Sequence, residues 1–363
     1  MQRIGRAGTW FDGNTRVAIA AEVRHAHECA LCKSRQSSLS PYAVTGQHDG
    51  LNGLPERIVE QVHRIATDPG RLTRNWLQSV LASGTSDAEY VEIVAVAATV
   101  ISIDSFCRGV EMPLLPLPEP VAGEPTRRRP ATARQEGEAW LPMIHPKDLE
   151  GKLETDEERV LARYWNGARN KPPRALSLVP QEAYAWFQLV EAQYLPLRAI
   201  RTRFDRLQER RAITHAQMEL IASRASIVNK CAFCAPIHLR FLRESGGAES
   251  EAYDTNEATV APAGRKIPHS ALLVAFTDAV VGENDRELPR LRAEVRSKMG
   301  DAALVDAAAV AAAFNGINRV ANSIGLRRAQ PGMGGPGGRG GPGGPGGPGG
   351  GGMRRPGRLF EAF

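Results

Sequence analysis

Within twenty residues the chain places a carboxylate, two thiols and an imidazole: Glu219, then Cys231-Ala-Phe-Cys234-Ala-Pro-Ile-His238. Two cysteines at this spacing can close a disulfide without large backbone movement. At the start of a helix, free N–H groups and the helix dipole also favour a thiolate. Pro236, two residues after Cys234, suits a first helical turn at this point. His238 follows Cys234 by four residues, one turn along the same helix face, where an imidazole takes a thiol proton or pairs with the thiolate. Glu219 falls on the preceding helix, placed to hold that imidazole or relay its proton. The competing reading is two small buried cysteines, a core histidine and a solvated glutamate. It suits each residue singly but does not account for all four together.

A second pair, Cys29-x-x-Cys32, lies in the N-terminal half, directly after His25 and His27. Those four residues are of zinc-ligand type, but His25 and His27 point to different sides of one helix, so no metal is assigned. Cys107 is the fifth cysteine. An odd count with two Cys-x-x-Cys pairs argues against a secreted disulfide scaffold and for a reducing compartment.

The two halves resemble each other. Ala26 to Cys32 lies opposite Val228 to Cys234 at an offset of 202, and Val91 to Thr99 lies opposite Val305 to Ala313 at an offset of 214. Two matches in the same order, separated by a 12-residue insertion, indicate a duplicated helical module.

The elements that must carry these residues read as helices almost throughout. Helical spacing predicts 15–35, Leu54 to Ala66 opened by Pro55, and Asp87 to Gly109, whose alanines favour a buried helix over a strand. After a span holding eight prolines between 113 and 148, which forbids regular structure for most of its length, helices are predicted at Asp156 to Trp165, Pro180 to Leu195 and Leu197 to Arg210. A further one runs from Thr214 to Val228, with Thr214 as N-cap and Gln217 completing a capping box. His269 to Val281, Glu287 to Lys298 and Ala302 to Ser323 complete the set. No series of alternating strands appears, so the fold class is all-α.

Of the net charge of +6, half lies after residue 330, in a segment with sixteen glycines and six prolines over 33 residues that cannot bury a core. Arg127, Arg128, Arg129 and Arg134 are flanked by Glu124, Glu136 and Glu138, too diffuse a patch for a nucleic-acid reader. The N-terminus lacks the apolar core of a signal peptide, and Ile93 to Ile103 is too short to span a bilayer. A soluble, cytoplasmic protein without membrane or nucleic-acid partners is expected. No glycine cluster forms a phosphate loop or nucleotide fingerprint, so no cofactor is expected.

From Glu219 to His238 the sequence resembles the carboxymuconolactone decarboxylase and alkylhydroperoxidase D-like superfamily. The carriers are the glutamate twelve residues before Cys231, the Asn229-x-Cys231-x-x-Cys234 core and the histidine four residues on. Phe314-Asn315-Gly-Ile-Asn318-Arg319 to Gly325 is similar to the family's closing helix, extending the likeness over roughly 176–327. The resemblance implies an oligomerising helical bundle that reduces hydroperoxides through a cysteine pair and is reset by an external dithiol. Cys234 would attack the peroxide, Cys231 would resolve, and His238 with Glu219 would relay protons. The family often places a second histidine between the cysteines, where this chain has Phe233. In the first half Val17 stands in the place of Glu219 and Gln36 in that of His238, so that copy reads as degenerate and structural. The expected organisation is a degenerate module at 1–113, a Pro-rich linker at 114–150, the module carrying the reactive pair at 151–329 and a disordered tail at 330–363. The alternatives are a dimerisation or scaffold protein retaining the fold, or a general disulfide oxidoreductase.

Overall fold

The computed structural model describes residues 1–51, 53–135, 139–144, 174–196, 211–253 and 266–326. The helices expected at Asp156 to Trp165 and Leu197 to Arg210, and the tail after 330, lie outside them.

The fold is all-α among the described residues, apart from one two-residue antiparallel pairing of Ala133–Arg134 with Met143–Ile144. The N-terminal half carries α1 (Gly13–His25), α2 (Ala30–Ser37), α3 (Glu56–Thr67), α4 (Arg74–Ala82) and the long α5 (Asp87–Val110). The C-terminal half carries α6 (Pro180–Gln193), α7 (His215–Val228), α8 (Cys234–Glu244), α9 (Glu249–Tyr253), α10 (Ser270–Val281), α11 (Leu288–Met299) and α12 (Asp301–Ser323).

The sequence places most starts correctly because the caps are local. Ser86 and Glu89 form a full capping box at α5, and Thr214 and Gln217 form another at α7. The single helix expected over 15–35 is instead two. α1 ends at His25, whose Nε2 contacts the carbonyl of Asp49 at 2.5 Å, and the Asp49 carboxylate accepts the Ala30 N–H at 2.9 Å to start α2. A residue brought in from nineteen positions away thus accepts the first free N–H of a new helix where spacing alone continues the old one.

The cores of the two halves meet along α5 and α12, the helices that carry the two matched segments Val91–Thr99 and Val305–Ala313. Their approach is close because the contact residues are small. A Cβ on Gly109 would sit 2.7 Å from that of Ala308, and one on Gly316 would meet the Trp186 ring at 2.3 Å and the Ala98 carbonyl at 3.1 Å. By length and composition α5 suffices to cross a membrane, although its apolar centre, Ile93 to Ile103, is too short to do so alone. That apolar surface is buried inside the protein.

The proline-rich segment lacks regular structure over most of its described length yet packs against the first half. Val121 and Arg127 donate backbone hydrogen bonds to Gly5 and Thr9, each at 2.7 Å, and Leu141, Met143 and Ile144 are buried. Arg129 pairs with Asp87 at 2.7 Å. A buried ion cluster ties further elements together: Arg16 on α1 binds Glu92 on α5 at 2.5 Å and Glu182 on α6 at 2.9 Å. Removing one member would leave uncompensated charge in the core.

Candidate dithiol site

α7 ends at Val228, capped by Asn229, and the chain turns through Lys230, whose φ is +51°, into Cys231 and the start of α8 at Cys234. Cys231 and Cys234 are reduced and buried. The Cys234 backbone N–H donates to the Cys231 sulfur at 3.3 Å, so the free amides of a helix start point at one of the two thiols. Burial opposes charge on Cys231, but hydrogen bonds from the Cys234 thiol and from the Cys234 and Phe233 amides outweigh it and hold this thiol below its ordinary value. The hydrogen bond to Cys231, together with burial, pushes Cys234 well above its own. Within the pair, Cys231 is therefore the more acidic thiol and Cys234 the less acidic one.

Glu219 on α7 is fully buried and accepts from three groups. Its Oε2 lies 2.8 Å from His238 Nδ1, and its Oε1 lies 3.2 Å from His215 Nε2 and takes a short hydrogen bond from the Tyr194 hydroxyl. Burial opposes its ionisation, but the His238 and His215 imidazoles override that and draw the carboxyl down to about 2. An ionised acceptor at Nδ1 fixes the His238 tautomer with its proton there and leaves Nε2 as the basic nitrogen. The ring is held edge-on by Phe314, with centroids 4.4 Å apart, and by Tyr194 at 6.0 Å.

Of the four residues singled out in the sequence, Glu219 and His238 are in direct contact and Cys231 and Cys234 are in direct contact. The two pairs are joined by α8, on which His238 follows Cys234 by one turn. The hydrogen bond of His238 goes to Glu219 and not to a sulfur.

The sequence reading missed His215 and Tyr194. His215 carried a signal, since it precedes Glu219 by four residues on one helix. It supplies Glu219 with a second imidazole partner. It also missed a polar network behind the turn. Asn229 donates to Asn315 at 3.1 Å, Arg319 reaches Asn229 at 3.3 Å and the Asn315 carbonyl at 2.8 Å, and the Asn322 side-chain amide donates to the Asn229 carbonyl at 3.0 Å. The closing helix therefore clamps the residue that caps α7, two positions before Cys231.

Residues 197–275 match the family model of the carboxymuconolactone decarboxylase family, the resemblance that the motif from Glu219 to His238 carries. The match spans α7, α8, both cysteines and both ends of the Glu219–His238 pair. Searches of curated proteins and of solved structures found no match.

The first half corrects one expectation. Val17 and Gln36 do stand where Glu219 and His238 would align, and Gln36 merely donates to the Thr67 carbonyl at 2.6 Å. Yet Cys29 and Cys32 are not without a carboxylate and a base. The Cys32 sulfur lies 3.3 Å from His63 Nδ1 on α3, and His63 Nε2 lies 2.6 Å from Glu22 on α1. The Cys29 sulfur lies 3.4 Å from His48 Nδ1. The offset comparison misses these residues because they come from other positions on α1, from a loop and from α3. His25 and His27, the histidines nearest in sequence, face Asp49 and Glu283 instead.

Proposed function

We propose that the protein is a thiol-dependent peroxidase that reduces a hydroperoxide through Cys231 and Cys234 and is reset by an external dithiol. The observation that carries this reading is the buried, ionised Glu219 holding His238 one turn beyond a reduced pair at a helix start. A scaffold needs no such arrangement, and burying a charged carboxylate is costly unless its partners are used.

The steps balance as follows. Cys234 passes its proton to His238 Nε2 and its sulfur attacks the distal peroxide oxygen; the O–O bond breaks, and the leaving alkoxide takes the proton back to give an alcohol. Cys231 then attacks the Cys234 sulfenic acid, forming the disulfide and releasing hydroxide that is protonated to water. A dithiol returns two electrons and two protons by exchange. Cys231, the more acidic thiol of the pair, is suited to the second step. Because His238 makes no hydrogen bond to a sulfur, a water or the peroxide itself bridges the two during attack.

Stopped-flow mixing of the reduced chain with hydrogen peroxide tests this. Fast loss of two thiols per chain, abolished in Cys234→Ser and slowed in His238→Ala, is expected. Oxidation no faster than that of an ordinary thiol in all three proteins would overturn the reading.

A further inference from the structure

The residues around Cys29 and Cys32 have no part in that chemistry, and their geometry is specific in its own right. The Sγ atoms of Cys29 and Cys32 and one ring nitrogen each of His48 and His63 all lie within 4.8 Å of one another. The sulfur-to-nitrogen separations are 3.4 Å for Cys29 to His48, 3.6 Å for Cys32 to His48 and 3.3 Å for Cys32 to His63. A tetrahedral ion with metal–sulfur bonds of about 2.3 Å and metal–nitrogen bonds of about 2.1 Å requires edges of roughly 3.6 Å.

Both imidazoles turn Nδ1 toward the sulfurs and anchor Nε2 on a carboxylate. His63 Nε2 lies 2.6 Å from Glu22, and His48 Nε2 lies 2.7 Å from Glu60. Arg35 Nη1 also approaches His48 Nε2 at 3.3 Å, but it binds Glu60 at 2.8 Å. The shorter contact to the carboxylate places the proton on Nε2, which leaves the Nδ1 lone pair facing the thiols. An outer carboxylate on the distal nitrogen of each imidazole is the arrangement that orients histidine ligands on zinc.

We infer that Cys29, Cys32, His48 and His63 form a closed tetrahedral site for one divalent transition-metal ion of the zinc type. Two thiolates and two imidazoles suit such an ion and disfavour calcium or magnesium. All four side chains are at most 4% exposed, so no face is open to water or substrate, and the site is structural. The ion would pin the start of α2 and the irregular segment carrying His48 onto α3. Binding displaces one proton from each thiol. The inference is independent of any reaction at Cys231.

The test is metal analysis of the full-length protein purified under reducing conditions. About one zinc per chain, retained on dialysis, is expected, and cobalt(II) reconstitution of the stripped protein should give the thiolate charge-transfer and visible bands of a tetrahedral S2N2 site. The Cys231→Ser/Cys234→Ser double variant should keep full occupancy, whereas Cys29→Ser and His63→Ala should lose it. Cobalt spectra of the unsubstituted chain keep the test decisive if a variant does not fold. A metal-free reduced chain with no cobalt bands, or zinc that follows the Cys231 pair instead, would overturn the inference.

Discussion

Arg319, on the closing helix of the C-terminal half, donates two hydrogen bonds to the Ala66 carbonyl on α3 of the N-terminal half, at 2.8 Å from Nη2 and 3.3 Å from Nε. The same guanidinium holds Asn229 and Asn315. Burial draws Arg319 down to about 10, so this residue joins the two halves while supporting the turn before Cys231. Arg319→Met keeps much of the volume but leaves those acceptors unpaired. A loss of about 2–4 kcal/mol is expected, read from urea midpoints, together with slower oxidation of the Cys231 pair.

Glu219 links site and stability through pH. Its carboxyl lies at about 2 in the folded chain against an ordinary 4.5, so between those values the unfolded chain binds more protons than the folded one. The stabilisation is complete above pH 4.5 and is lost as pH falls toward 2. It amounts to roughly 3 kcal/mol at most. Urea unfolding across that range should show stability rising more steeply with pH in the natural protein than in Glu219→Gln; equal slopes would contradict the assignment. Glu219→Gln should also slow peroxide reduction about 100-fold, by releasing the His238 tautomer.

The unequal acidity of the two thiols has a readout of its own. Thiolate absorbance from this pair should appear below the pH of an ordinary cysteine, and that contribution should be lost in Cys231→Ser while any from Cys29 and Cys32 remains. In Cys234→Ser the remaining thiolate keeps its backbone donors. If the early absorbance instead follows Cys234, the more acidic thiol is the other one.

How much of this was legible follows from how local each determinant is. The capping boxes at Ser86 and Thr214 lie within four residues, so helix starts could be read directly. Glu219, Cys234 and His238 lie on two consecutive helices and Cys231 in the turn between them, and their spacing carries their geometry. Asp49 capping α2, Arg319 reaching Ala66, and His48 and His63 converging on Cys29 and Cys32 depend on loops and packing between distant segments. Comparison of the halves at a fixed offset registers only residues that stay in the same place. It therefore found Val17 and Gln36 and passed over Glu22 and His63.

Gly70 shows how the first half bears on the site in the second. The turn at Pro69–Arg71 packs so closely on the turn before Cys231 that a Cβ on Gly70 would lie 2.6 Å from the Lys230 Cβ and 2.7 Å from the Asn229 carbonyl. Both contacts are to atoms near the main chain, so relief requires moving Asn229 or Lys230, and Lys230 already sits at a left-handed φ of +51°. Gly70→Ala should cost about 1–3 kcal/mol and displace the amides that support the Cys231 thiolate. The expected signature is a rise in the first thiol pKa and slower peroxide oxidation, with zinc content at Cys29 and Cys32 unchanged. A variant that loses stability but keeps the thiol titration of the natural protein would mean that the contact carries packing alone.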